Sequence, residues 1–189
     1  MVASIRVVRE EKKHNRALGR AALNTLFRAG APPRLALNGR YSGSLTLLDL
    51  APGLTQLGEV ITAGWLPWQG KMFDSDQRTG VNIFTYDSLG LARLFNPFYR
   101  GFEADGPHTY RAFTFRTSVG PGLFDTDRQV FKIDYDLPAN PSLIRHVLDE
   151  LVEIEDGEFL GKAHFKWGWG RWQTVAYFTL IGGGATPVR

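Results

Sequence analysis

Apolar positions recur at threes and fours near the N-terminus and at twos through most of the remaining chain. Over residues 8–29 the pattern is helical: Leu18, Ala21, Ala22, Leu26 and Ala29 share a face, with charges opposite. Gly30 sits where a helix-ending glycine belongs, and Pro32-Pro33 bar continuation. Such a helix cannot bury its stripe alone. It is expected to cap one end of the fold or to mediate self-association, which leaves a homodimer open. Strand-like runs follow over 35–50, 71–73, 80–86, 108–117, 128–135, 159–167 and 171–181. Between them lie turn signals at Ala51-Pro-Gly53, at 74–79, at Gly120-Pro-Gly122 and at Asp156-Gly157. Residues 56–61 are ambiguous, 64–68 form a tight apolar corner, and 89–99 fit helix or strand. Over 108–117, Tyr110, Ala112, Thr114 and Arg116 are expected on one face, and Arg111, Phe113 and Phe115 on the other. Asn140-Pro-Ser142 reads as a helix start, continued by Leu143, Ile144, Val147, Leu148, Leu151 and Val152 at helical spacing.

Eight to ten strands with two helices predict a mainly β chain. The economical solution is a single antiparallel β-barrel with an N-terminal helix and a second helix before the last hairpin, because closure removes exposed edges. The organisation expected is a helical extension over 1–34, the barrel over 35–181 and a tail over 182–189. The 189 residues suffice for one well-buried domain.

Composition narrows the function classes. Thirteen Phe, five Trp and six Tyr supply a core and can line an apolar pocket. The net charge of +3 is scattered, and the densest charged stretch, 9–16, mixes both signs. No nucleic-acid partner is expected, because the basic groove is missing even though Trp167, Trp169 and Trp172 could stack on bases. The absence of cysteine excludes disulfides, thiolate metal sites and cysteine nucleophiles. No apolar run reaches 18 residues, and the N-terminus has no signal-peptide core. The expectation is a cytoplasmic protein with no membrane partner.

Candidate chemistry is sparse. Lys132, Asp134 and Asp136 alternate along one strand and share a face, with Ile133 and Tyr135 opposite. If that face were the lumen, Asp134 and Asp136 would be candidate acid–base residues; if it were the outside, they would simply be solvated. Lys71, Arg116, Lys162 and His164 lie among aromatics, and one or more could meet an anionic head group or pair with Asp134. For any one of them, snorkelling on the outer face is the first expectation. No histidine falls in a metal-ligand spacing, and no metal or cofactor is expected, although haem ligation through His164 stays open. No Gly-x-Ser-x-Gly elbow is present.

Two glycine-aromatic blocks stand out: Gly39-Arg-Tyr-Ser-Gly43 and Trp68-Gln-Gly-Lys-Met-Phe73. Glycine around an aromatic in a strand permits a sharp bend or a close approach. The first block resembles the Gly-x-Trp-x-Gly opening of bacterial GXWXG-domain proteins, with Tyr41 in the Trp place. The second resembles that family's Trp-x-Gly-Lys-x-Phe block. Residues 133–138, the Asp156-Gly157 turn and 177–180 are similar to its C-terminal half. More generally the chain resembles lipocalin-like (calycin) barrels. That resemblance implies a barrel with an internal cavity for a small lipophilic molecule, and it implies no catalytic residue.

The function expected is therefore binding of a small hydrophobic or amphipathic molecule in the barrel. Trp68, Phe84, Phe113, Phe115, Phe131, Tyr135 and Phe165 are the aromatics available for lining. Lys71, Arg116, Asp134 or His164 would be polar contacts. The alternatives are a cavity enzyme of isomerase, dehydratase or cyclase type, and a filled structural barrel without a site.

Overall fold

The computed structural model describes residues 16–49, 68–168 and 170–182. The expectations for 8–15, 51–53, 56–61 and 64–67, for Trp169 and for the tail beyond Gly182 lie outside these. A helix, α1 (Arg16–Ala29), is followed by strands β1 (Gly39–Leu48), β2 (Trp68–Asp74) and β3 (Thr79–Thr85). A short helix α2 (Leu89–Phe95) settles the ambiguous 89–99 stretch as helical in its first part. The remaining strands are β4 (Glu103–Ala104), β5 (Thr109–Pro121), β6 (Gln129–Asp134), β7 (Val147–Glu155), β8 (Glu158–Lys166) and β9 (Trp172–Gly182).

The strands run in the order β3-β2-β1-β9-β8-β7-β6-β5, and β5 pairs back onto β3 to close the ring. Every pairing is antiparallel. The result is a closed eight-stranded barrel of up-and-down type, with the two-residue β4 added along β5. Closure leaves no long exposed edge. Among the described residues, no helix is long and apolar enough to cross a membrane.

The lumen is filled largely by aromatic and aliphatic side chains, among them Phe73, Phe84, Phe115, Ile133, Leu151, Phe165 and Phe178. A second cluster lies outside the wall. There Leu23, Leu26 and Phe27 of α1 pack on Leu47, Val152, Leu160 and Tyr177. The helix thus lies along the barrel's flank and does not cap an end, and its buried face is not the expected stripe: Leu23 and Phe27 join Leu26 inside, Ala22 is half-buried, and Leu18, Ala21 and Ala29 are exposed.

Three local expectations need correcting. The helical spacing from Leu143 to Val152 is not one long helix. Only a 3₁₀ turn, Ile144–His146, precedes the last strands, and β7 begins at Val147. Both faces of β7 are covered, one by the lumen and the other under α1 and the β5–β6 loop, so period two is masked by apolar residues on either side. Next, Gly120 and Pro121 continue β5 and do not break it. Finally, the two-face alternation over 108–117 fails at Phe113. That residue has φ 60, and the pairing with β3 slips between Val81 and Asn82. The extra residue is a β-bulge. Tyr110 and Ala112 therefore share the lumen cluster with Phe115, while Thr114 and Arg116 are exposed.

Candidate functional site

The two glycine-aromatic blocks are one structural unit. They pair antiparallel, with Gly39 opposite Phe73, Tyr41 opposite Lys71 and Ser42 opposite Gly70. A Cβ on Gly43 would run into the indole of Trp68, so the glycine in the first block seats the tryptophan of the second. Gly70 has φ +134 and its missing Cβ would meet the Tyr41 carbonyl. A register shift between Trp68 and Gly70 marks a second bulge, which turns Trp68 and Lys71 towards the same interior.

Inside, Lys71 is buried beside Asp149, with both side chains only 3% exposed. The Nζ donates to Asp149 Oδ2 at 2.9 Å, to Asn82 Oδ1 at 2.9 Å and to the Tyr135 hydroxyl. Four rings surround the ammonium: those of Trp68, Phe115 and Phe178 at 5.3 Å and that of Tyr135 at 5.1 Å to the centroid. Their electron-rich faces offset part of the lost hydration. Burial nonetheless pulls the Lys71 pKa below its ordinary value, against the raising effect of the Asp149 carboxylate. Burial, with that same charge, pushes Tyr135 well above its ordinary value and keeps the phenol protonated.

Asn82 holds the group together. Its Oδ1 accepts from Trp68 Nε1 at 3.1 Å as well as from Lys71. Its Nδ2 donates to the Tyr135 oxygen at 3.0 Å and to the Phe113 carbonyl at 3.2 Å. The bulge at Phe113 explains that last bond. A left-handed non-glycine residue costs about 1–3 kcal/mol, and here it turns a main-chain carbonyl onto Asn82. The Tyr99 hydroxyl accepts the Phe113 N–H at 2.7 Å, which satisfies the other side of the bulge.

The cluster borders a cavity of about 40 Å³, lined by Trp68, Lys71, Asn82, Phe84, Tyr135, Ile144, Val147, Asp149 and Phe178. Of the residues expected to bind, Trp68, Lys71 and Phe84 line it, as does Tyr135 among the expected aromatics. Asn82, Asp149 and Phe178 were not foreseen. Asn82 lies two residues from Phe84 on a strand, so period two alone would have placed it inside.

The other expected site residues lie elsewhere. Asp134 and Asp136 are on the outer face, since Ile133 and Tyr135 take the lumen side of the same run. Asp134 accepts the Asp136 N–H at 2.9 Å, a turn role, and Asp136 pairs with Arg145 at 2.7 Å. Neither carboxylate reaches the cavity as a base. Arg116 is also outside, where its guanidinium approaches the Asp136 carbonyl. Phe131 packs against Phe73 away from the cavity and lines a different groove with Leu37 and Val119.

His164 points outward from β8. Its Nε2 lies 3.2 Å from Glu150 Oε2 and its Nδ1 3.1 Å from Thr174 Oγ1, with the ring fully buried. Both nitrogens are engaged outside the lumen, so the residue does not fit haem ligation. Lys162, also outward, donates to Asn24 Oδ1 and Asp125 Oδ2 at 2.6 Å each.

The inner cluster is a neutral ion pair in an aromatic cage, able to hold a polar group at the cavity edge. No family model and no curated protein matches the chain. A solved structure, that of a protein from Thermomonospora curvata, is similar with a TM-score of 0.51 and 17% identity, covering 94% of this chain and 99% of that one. This likeness concerns the fold, and with the closed eight-stranded barrel it fits a calycin-like architecture.

Proposed function

We propose that the protein binds a small hydrophobic or amphipathic molecule at the Lys71 end of its lumen. One observation carries this reading. Side chains from β2, β3 and β7, with Tyr135 just past β6, bring an ion pair and two hydrogen-bonding groups to a cavity otherwise lined by Trp68, Phe84, Ile144, Val147 and Phe178. Burying an ion pair is usually no better for stability than packing apolar side chains. An apolar cavity with a few convergent polar groups is the usual make-up of a small-molecule site. The same reading sets the chain beside the GXWXG-domain proteins, supported by the pairing of its two blocks across β1 and β2.

The size of the cavity favours a second reading, a barrel packed as a structural module. About 40 Å³ holds only the end of a molecule or a few waters. Native mass spectrometry of the purified protein, followed by organic extraction, separates the two. Ligand binding predicts a small organic species that travels with the wild type and is missing from the Lys71→Met/Asp149→Leu double variant. Each protein at its bare polypeptide mass, with nothing extracted from either, would favour the packed module.

A further inference from the structure

The hydrogen-bonding capacity of the inner cluster is spent on one side and open on the other. Lys71 has three N–H donors, and they go to Asn82, Tyr135 and Asp149. Trp68 gives its one donor to Asn82, and Asn82 gives its two to Tyr135 and Phe113. The Tyr135 hydroxyl has Asp149 Oδ2 and Asn82 Oδ1 as acceptors, each at 3.2 Å. No donor is left over. Among acceptors, Asn82 Oδ1 takes Trp68 and Lys71, Asp149 Oδ2 takes Lys71, and the single Tyr135 proton is within reach of both. Asp149 Oδ1 is buried, has no partner among the described residues, and belongs to a residue that lines the cavity.

A carboxylate oxygen in an apolar enclosure needs a donor, because leaving it bare costs about 1–3 kcal/mol or more. An anionic head group would bring a further acceptor to a site with no donor to offer, and Lys71 could meet it only by abandoning Asp149. An ammonium head would supply donors but add a net charge to a pair that is already neutral, which burial penalises. A neutral hydroxyl matches the open position on both counts.

We propose that the ligand's polar end is a neutral hydroxyl that donates to Asp149 Oδ1, with its apolar body against Trp68, Phe84, Ile144, Val147 and Phe178. The ligand class is an apolar alcohol or phenol. This inference rests on the binding function proposed above. It assigns Lys71 the task of fixing Asp149 and not that of meeting an anion.

The test uses the full-length wild-type protein and four probes of similar length: 1-hexanol, 1-methoxypentane, hexanoate and hexylammonium. Their affinities are read from chemical-shift changes at the indole N–H of Trp68, assigned with Trp68→Phe. The expected result is that 1-hexanol binds about tenfold or more tightly than each of the other three, as one hydrogen bond to a charged group implies. Equal binding by the four, or a preference for hexanoate, overturns the hydroxyl assignment while leaving the lumen as a binding site. No shift with any probe at millimolar concentration overturns the lumen reading itself, and the hydroxyl assignment with it. Asp149→Asn, if folded, offers a further check, since its amide can present N–H groups where the wild type presents an oxygen. The ratio of alcohol to ether affinity should then fall; an unchanged ratio overturns the assignment to Oδ1.

Discussion

Lys71 and Lys162 are both almost wholly buried, and each is held by a carboxylate and an amide, one on the inside of the barrel wall and one on the outside. The carboxylates that hold them differ. On the outside every carboxylate oxygen is used. Asp125 Oδ2 takes Lys162 and Oδ1 takes Arg28 at 2.5 Å, while Glu150 takes His164 and the Leu123 N–H. That cluster ties α1 and the β5–β6 loop to the strands. On the inside, Asp149 keeps an oxygen open at a cavity. A closed set of hydrogen bonds belongs to the fold; an open one, kept dry among aromatics, is placed for something from outside the chain.

Removing each lysine in turn should separate the two clusters most clearly. Lys71→Met leaves Asp149 buried without its cation, and a loss of about 3–5 kcal/mol is expected in urea denaturation. Adding Asp149→Leu should restore most of it, since an apolar pair suits an aromatic lumen. Lys162→Met should cost less, about 1.5–3 kcal/mol, because Asp125 retains Arg28. Equal losses for the two lysines would remove the distinction. Gly43→Ala strikes the wall beside the inner cluster, because its Cβ would meet both the Trp68 ring and the Gly70 Cα of β2. Its expected cost is about 1–3 kcal/mol, together with loss of 1-hexanol binding.

Acid sharpens the outer half. Burial raises the Asp125 pKa, but its hydrogen bonds to Lys162 and Arg28 outweigh this and hold it below the ordinary value of 3.8. The unfolded chain therefore binds this proton first, and stability rises with pH in that window. The contribution of Asp125 is fully present above its unfolded pKa and drains away as pH falls through the lower folded one. In acid titrations followed by circular dichroism, Asp125→Asn should flatten this part of the loss. The smallest effect is expected from Asp134→Asn on the outer face. It should change stability by no more than about 0.5 kcal/mol and leave probe binding untouched.

Much of the barrel was legible in the sequence, because glycine, aromatics and alternation carry local information. The two blocks that stood out do form the wall beside the cavity, and Trp68, Lys71 and Phe84 line it. What escaped was information that only closure supplies. Asp149 was hidden in a helical-looking run, since β7 is buried on both faces and its apolar residues fit either period. Asp134 was given to the lumen as one alternative because alternation tells which residues share a face but not which face is inside. Phe113 concealed a bulge, and one extra residue reversed the side expected for everything after it. The Glu150–His164–Thr174 contacts join β7, β8 and β9 over distances that local spacing does not encode.

The most direct measurement is a crystal structure of the wild-type protein soaked with 1-hexanol. The expected result is the hydroxyl oxygen at hydrogen-bond distance from Asp149 Oδ1, about 2.7 Å, with the Lys71 contacts intact and the alkyl chain against Trp68 and Phe178. An alcohol seated instead outside the wall, in the groove that Ala21 and Asn24 of α1 form with Gln173 and Tyr177 of β9, with Asp149 Oδ1 satisfied by protein groups alone, would contradict it.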